Sequence, residues 1–125
     1  MKEFFLKTNV LYFVAKIIIV GVFLYFGIES IFNPSTYSGL VPEFLTKIFS
    51  ADFLVMIHCG VEVIFSLMIL FGLGGFWSYI VLVASFIGVL ISVSGTTFVR
   101  DIGILGSLLL LAHVYLKREN TPTDK

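Results

Sequence analysis

The feature that most constrains the fold is a long apolar run in the middle of the chain that contains one carboxylate. Residues 53–72 read FLVMIHCGVEVIFSLMILFG, and about 20 apolar residues in a helix cross the ~30 Å hydrocarbon core of a bilayer. Glu62 lies within this run, with His58 one helical turn earlier on the same face. A carboxyl group inside a membrane costs about 2.5 kcal/mol or more unless it finds a partner. Other helices must therefore be arranged to cover it.

Three further segments have the length and composition of membrane-spanning helices. We predict an all-α integral membrane protein, a four-transmembrane-helix bundle forming one domain, with helices at about residues 10–32, 53–72, 76–93 and 98–116 and a polar tail at 117–125. Of the 125 residues, 58% are hydrophobic and 13% charged, which is unlike a soluble domain of this size. The basic start and first apolar run resemble a signal peptide, but the run is too long and no A-x-A-like cleavage site follows. We expect a retained first helix.

Short breaks separate the predicted helices. Asn33-Pro34 ends the first, because proline cannot extend a helix and restricts the residue before it. Residues 72–75, GLGG, predict a tight turn that makes the second and third helices antiparallel neighbours, and residues 95–97, GTT, predict the next turn. Pro42 and Glu43 favour a short interfacial helix between the first two long helices, with an irregular loop as the alternative.

Small residues spaced four apart mark one face of the third helix and one face of the fourth. These residues are Ala84, Gly88 and Ser92, then Gly103 and Ser107. Such faces let another helix approach closely. They are equally compatible with a monomer and with a homo-oligomer.

Basic residues concentrate near the two ends of the chain. Four crossings place both termini on one side, which carries Lys2, Lys7, Lys117, Arg118 and Lys125, whereas the other side carries Lys47 and Arg100. The positive-inside rule therefore places both termini in the cytoplasm. The formal net charge is zero, so nucleic acid is not an expected partner. The expected partner of the apolar segments is the lipid bilayer.

Five polar side chains fall at similar depth under the outer face of the predicted bundle: Glu29, His58, Glu62, Arg100 and Asp101. An arginine and a carboxylate favour a bidentate pair in apolar surroundings, and we predict that Glu62 pairs with Arg100. Three roles remain open for the cluster. It is a structural ion pair between helices, a binding or proton-handling site, or a metal site of His58, Glu62 and another acid, which lacks a second histidine.

Other reactive side chains give weaker signals. Cys59 is the only cysteine, which excludes an intramolecular disulfide, and we predict that it is a packing residue. His113 is expected at the inner interface. No P-loop, HExxH or hydrolase motif is present, so no catalytic residue and no metal site is predicted.

Three motifs in order resemble those of a known family. GIESIFNPSTYSGLVP ends the first apolar helix, HCGVEVIFSLMILFG lies in the second, and RDIGILGSLLLL opens the fourth. Their order and spacing are similar to those of the DoxX-type membrane proteins, and the resemblance covers roughly residues 15–115. The matching positions are Gly27 and Pro34, Gly60 to Glu62, and Arg100 to Gly103. Ser30 departs from the pattern, since many relatives have Lys or His there.

The resemblance implies a protein of the prokaryotic plasma (inner) membrane that acts as a non-catalytic subunit or accessory protein of a redox-related system. A redox protein is then an expected partner. Some relatives resemble the small subunit of a thiosulfate:quinone oxidoreductase, so the alternative is a quinone-linked redox subunit whose polar cluster handles protons beside a quinone cofactor. A small transporter is a third reading, which the few polar residues in the inner halves of the first and third helices disfavour.

Overall fold

Long helices make up nearly all of the structure, a computed structural model that describes residues 2–92 and 95–121, with side chains from residue 9 onward. The helices are α1 (Lys2–Phe32), α2 (Glu43–Thr46), α3 (Ala51–Phe71), α4 (Gly75–Ser92) and α5 (Gly95–Glu119), and two 3-10 turns, Pro34–Thr36 and Ser38–Leu40, precede α2. The described ranges contain no strand. The predicted all-α architecture of four long helices is confirmed.

The four long helices can each cross a membrane. The candidate spans are Asn9–Phe32, Ala51–Phe71, Gly75–Ser92 and Gly95–Glu119, with mean hydropathies of 2.3, 2.3, 2.0 and 1.5. Only 17% to 28% of the residues in these segments are buried inside the protein, so most of their apolar side chains point outward. An apolar surface of this extent is stable against lipid rather than water. The chain is therefore a multi-pass membrane protein.

Each long helix packs against two others. α1 contacts α3 and α5, α3 contacts α4, and α4 contacts α5, which closes a ring in the order α1, α3, α4, α5. The apolar core lies in the half of the bundle nearer the chain termini and comprises Val20, Phe23, Ile69, Tyr79, Leu82, Phe86, Leu108, Leu111 and Ala112. The hydroxyl groups of Tyr12 and Tyr79 lie 3.1 Å apart at its terminal end. Of the buried polar residues, Ser30 and Asp101 lie in the other half of the bundle, Glu62 and Ser66 lie near the middle of α3, and Ser78 lies beside the α3–α4 turn.

Local sequence signals set both ends of α3. Ser50 precedes its first turn, and the Ser50 side chain accepts a hydrogen bond from the backbone N–H of Phe53 at 3.4 Å. Gly72 follows its last turn with φ of 72°, a left-handed conformation that glycine adopts without strain. The N–H groups of Gly72 and Leu73 then donate to carbonyls of the final turn. The same glycine allows α4 to begin three residues later.

Several helix bounds differ from the prediction. α1 begins at Lys2 rather than near residue 10, because hydropathy detects only the apolar part of a helix and KEFFLKT is compatible with continuing it outward. α5 begins at Gly95, so the turn predicted at residues 95–97 is wrong. α5 also continues three residues past the predicted end, to Glu119, and two of these, Lys117 and Arg118, are basic residues that suit a helix C-terminus. The predicted end of the third helix at residue 93 and the last residues of the tail, 122–125, lie outside the described residues.

The connection between α1 and α3 folds over the end of the bundle opposite the chain termini. Its 3-10 turns pack against α3, and the first also contacts α1. The interfacial helix predicted after Pro42 is a single turn, Glu43–Thr46. Phe44, Ile48 and Phe49 are exposed beside it. The connection therefore covers the end of the bundle and also presents apolar side chains outward.

Gly27 lets α1 and α3 approach each other closely. A Cβ atom at this position would lie 2.7 Å from Cγ2 of Val63 and 3.4 Å from the carbonyl oxygen of Cys59. The small residues predicted to mediate packing behave differently, because a Cβ at Gly88 or Gly103 would meet open space. Those two faces point away from the bundle, and the homo-oligomer that they are compatible with stays a prediction.

Candidate functional site

The side chain of Glu62 is buried near the middle of α3, where it is 8% exposed. The same face of α3 carries four further buried residues, Val55, Cys59, Ser66 and Ile69. Since these positions recur every three or four residues, they form one stripe that faces the bundle interior. The low exposure of the Glu62 side chain agrees with the prediction that other helices cover it.

His58 is the nearest charged or chargeable partner of Glu62. Nε2 of His58 lies 3.3 Å from Oε1 of Glu62, and the imidazole is 33% exposed. The other ring nitrogen, Nδ1, lies 3.4 Å from Oγ of Ser85 on α4. The imidazole therefore connects α4 to the buried carboxyl of α3. The contact is an ion pair when His58 is protonated and a contact between dipole and charge when it is neutral.

The hydrogen-bonding capacity of this site is not used up. His58 Nε2, Glu62 Oε1 and Ser66 Oγ are buried, and none has a hydrogen-bond partner among the described atoms. The 3.3 Å contact of His58 and Glu62 brings their atoms close without hydrogen-bond geometry. Ser30 and Ser107 donate to the carbonyl four residues earlier, whereas Ser66 does not. An unpaired buried polar group costs about 1–3 kcal/mol, so this site favours water or another small hydrogen-bonding molecule.

Arg100 pairs with Asp101 and not with Glu62, so the predicted Glu62–Arg100 pair is wrong. Nε of Arg100 donates to Oδ1 of Asp101 at 2.7 Å, with the two side chains 54% and 5% exposed. The Arg100 guanidinium also lies over the ring of Phe26 on α1, 5.5 Å from its centroid. The physical reason is that Asp101 offers a carboxylate next to Arg100, whereas reaching the middle of α3 would require burial of the guanidinium.

Glu29 fixes the connection that follows α1. The hydroxyl of Tyr37 donates a hydrogen bond to Oε2 of Glu29 at 3.1 Å. Partial burial, together with the adjacent Glu29 carboxylate, raises the pKa of the Tyr37 phenol. The phenol therefore remains a donor, and the pair holds the first 3-10 turn against the end of the bundle.

The five predicted site residues take part in three side-chain contacts. These contacts are His58 with Glu62, Arg100 with Asp101, and Glu29 with Tyr37. Within the described ranges, no hydrogen bond or salt bridge joins one contact to another.

Three contributing residues, Ser66, Ser85 and Tyr37, are absent from the sequence-based site. Ser66 could have been found from its position one turn after Glu62. The contacts of Ser85 and Tyr37 depend on helix rotation and loop path, for which the sequence carries no comparable signal.

Cys59 is buried as predicted, whereas the predicted position of His113 at the inner interface stays a prediction. Cys59 is buried beside Ser30 of α1, as expected of a packing residue. His113 is exposed near the terminal end of α5. Among the described residues, no three His, Cys, Asp or Glu side chains come together as a metal site.

Comparisons with protein-family models, curated proteins and solved structures find no match to this chain. The interpretation of the site therefore depends on its own chemistry, a carboxyl, an imidazole and a hydroxyl inside an apolar bundle. Such a set can accept and donate hydrogen bonds and can hold a proton.

Proposed function

We propose that this chain is a DoxX-type protein of the prokaryotic plasma membrane, with both termini in the cytoplasm. In this proposal it acts as a non-catalytic membrane subunit or accessory protein of a redox-related system. The observation that carries the proposal is the contact of His58 with Glu62 inside a membrane-spanning helix. The excess of basic residues near the termini supports the orientation.

Packing alone does not explain a carboxyl group at this depth. A well-packed apolar residue in its place would be as stable or more stable, and ionisable residues inside membranes commonly serve a function. Several DoxX-like motif positions lie around this site. Gly27 brings α1 against α3, and Glu62 projects from the motif on α3 into the interior. The DoxX-like motif positions and the buried His58–Glu62 contact therefore point to the same region of the bundle as the functional site.

A quinone-linked redox subunit is the second candidate, and a specific observation favours it. The unpaired Nε2 of His58 and Oγ of Ser66 could donate hydrogen bonds to the carbonyl oxygens of a quinone headgroup, and Oε1 of Glu62 could accept one from a quinol hydroxyl. The imidazole is one-third exposed, so a ligand that arrives through the bilayer could reach it. In that case Glu62 and His58 would exchange protons with the headgroup.

The interior beyond Ser66 disfavours a transporter. Toward the terminal side, the bundle is filled by apolar residues, including Ile69, Leu82 and Leu108, which are at most 2% exposed. In the part of the chain that the structure describes, the row of polar side chains on α3 runs from His58 through Glu62 to Ser66, and the apolar core begins beyond Ser66. A continuous polar path is therefore interrupted.

Purification from native membranes in a gentle detergent tests the proposal. We expect mass spectrometry to find a redox protein in stoichiometric amount with this chain. A preparation that contains neither a redox protein nor a quinone contradicts the proposal.

Bound quinone without a protein partner would favour the second candidate. In that case Glu62→Gln should lower the quinone content several-fold. The matched control is Glu43→Gln, which changes an exposed carboxylate in α2 and should leave the quinone content unchanged.

A further inference from the structure

An open groove runs between α1 and α5 on the outside of the bundle. α1 packs chiefly against α3 and more loosely against α5, and the gap has a volume of about 480 Å³. Side chains that line it include Leu11, Ala15 and Ile18 of α1 and Ser107, Leu111 and Val114 of α5. This volume lies within the ~300–1,000 Å³ range of pockets that hold organic ligands.

The terminal end of the groove is positively charged. Arg118 continues the α5 stripe of Ser107, Leu111 and Val114, at spacings of three and four residues. Its guanidinium lies over the ring of Tyr12, which lines the groove, 4.4 Å from the ring centroid. The guanidinium is thus placed at the end of the apolar lining.

A second cation lies close to the first. Lys16 lies one helical turn beyond Tyr12 on α1, and the guanidinium of Arg118 lies over the ring of the same Tyr12. The salt bridges among the described side chains involve neither residue. Two cations on the Tyr12 side of an apolar groove favour an anionic group beside them.

We propose that the groove between α1 and α5 binds an anionic phospholipid, with an acyl chain along the groove and the phosphate at Arg118 and Lys16. The groove lies within two membrane-spanning segments, so lipid chains contact it directly. The distance along α5 from Ser107 to Arg118 is about 16 Å at ~1.5 Å per residue. That is close to half of the ~30 Å hydrocarbon core, the depth of one leaflet. The inference is independent of the redox role proposed above.

A second copy of the chain fits the groove less well than a lipid. Copies in one membrane share an orientation, so a two-fold contact through this face would bring Arg118 and Lys16 of each copy to the same level. Four cations would then meet without an anion. A phospholipid supplies the negative charge as well as the apolar chain.

Lipid titration of the full chain in detergent tests the proposal, with binding counted by native mass spectrometry. Phosphatidylglycerol and phosphatidylcholine with the same acyl chains serve as probes. Each cation near an anionic headgroup contributes about a fivefold gain in affinity. We therefore expect the unmodified chain to prefer phosphatidylglycerol by roughly 25-fold, and Lys16→Gln with Arg118→Gln to reduce this preference to about onefold.

Two matched variants separate this site from general charge attraction. Lys47→Gln with Arg100→Gln removes the same charge at the opposite end of the bundle and should leave the preference unchanged. Ser107→Trp fills the groove from an exposed position and should abolish tight binding of phosphatidylglycerol, while circular dichroism reports that the variant is folded.

Three results would overturn the proposal. The first is equal affinity of the unmodified chain for the two lipids. The second is a preference that Lys47→Gln with Arg100→Gln reduces as strongly as Lys16→Gln with Arg118→Gln does. The third is a dimer that Ser107→Trp dissociates, which would assign the groove to a second copy.

Discussion

Glu62 lies inside an apolar helix, and its nearest ionisable neighbour is the imidazole of His58. The two groups approach within 3.3 Å, whereas Arg100 is occupied by Asp101 at 2.7 Å. The sequence shows why Glu62 has to be covered, because a carboxyl inside a membrane is costly. It does not show which partner Glu62 takes, because that depends on the rotation of each helix and on the carboxylate adjacent to Arg100.

A double-mutant cycle tests the His58–Glu62 contact. Glu62→Gln and His58→Gln should each lower the free energy of unfolding in mild detergent, since each removes the electrostatic contact between the imidazole and the carboxyl group. The double variant should lose less than the sum of the two, with a coupling energy of about 0.5–3 kcal/mol. Thermal unfolding monitored by circular dichroism provides the measurement.

The matched control for that cycle pairs Glu62→Gln with Arg100→Gln. These two effects should add to within about 0.5 kcal/mol, because the residues share no contact. A strong coupling of Glu62 with Arg100, and none with His58, would restore the pairing expected from sequence and contradict the structure.

At the scale of the helices, the contact of α1 with α3 depends on one residue without a side chain. Gly27→Ala would place a methyl group 2.7 Å from Cγ2 of Val63, a β-branched side chain that cannot easily turn away. We expect this substitution to lower the free energy of unfolding by about 1–3 kcal/mol, as overpacking in a core does. Thermal unfolding in detergent checks the effect.

Gly21→Ala is the control on the same helix. A Cβ at Gly21 meets nothing within 4 Å, so alanine there should be neutral or slightly stabilising, because it favours the helix. An equal loss of stability in both variants would contradict the claim that the close approach at Gly27 determines the result.

Strong local signals made some helix ends predictable. Pro34 and Gly72 act through backbone chemistry that the sequence displays directly, and α1 and α3 end beside them. The starts of α1 and α5 were missed, since Lys2 and Gly95 lie in sequence that is polar or glycine-containing yet continues the helix. Apolar runs therefore locate the membrane-spanning part of a helix better than the helix itself.

At the scale of the whole molecule, the four apolar segments made the fold predictable. Each is long enough to span, and short turns force antiparallel neighbours. The faces used for packing were less predictable, because Gly88 and Gly103 lack a side chain as Gly27 does but face away from the bundle. Sequence spacing indicates where a close approach is allowed, and only the tertiary structure shows where one is made.

The central claim is that α1, α3, α4 and α5 cross a membrane in turn, with the α1–α3 connection on one side and both the α3–α4 turn and the end of α5 on the other. Labelling of single cysteines with a membrane-impermeant maleimide tests it most directly. The variants are Lys47→Cys, Leu73→Cys and Glu119→Cys, at three exposed positions, each in a Cys59→Ala background.

Intact cells and inside-out vesicles give the two sides. We predict that the Lys47→Cys variant is labelled from one side only, and the Leu73→Cys and Glu119→Cys variants only from the other. Labelling of all three variants from the same side would contradict the four-crossing bundle.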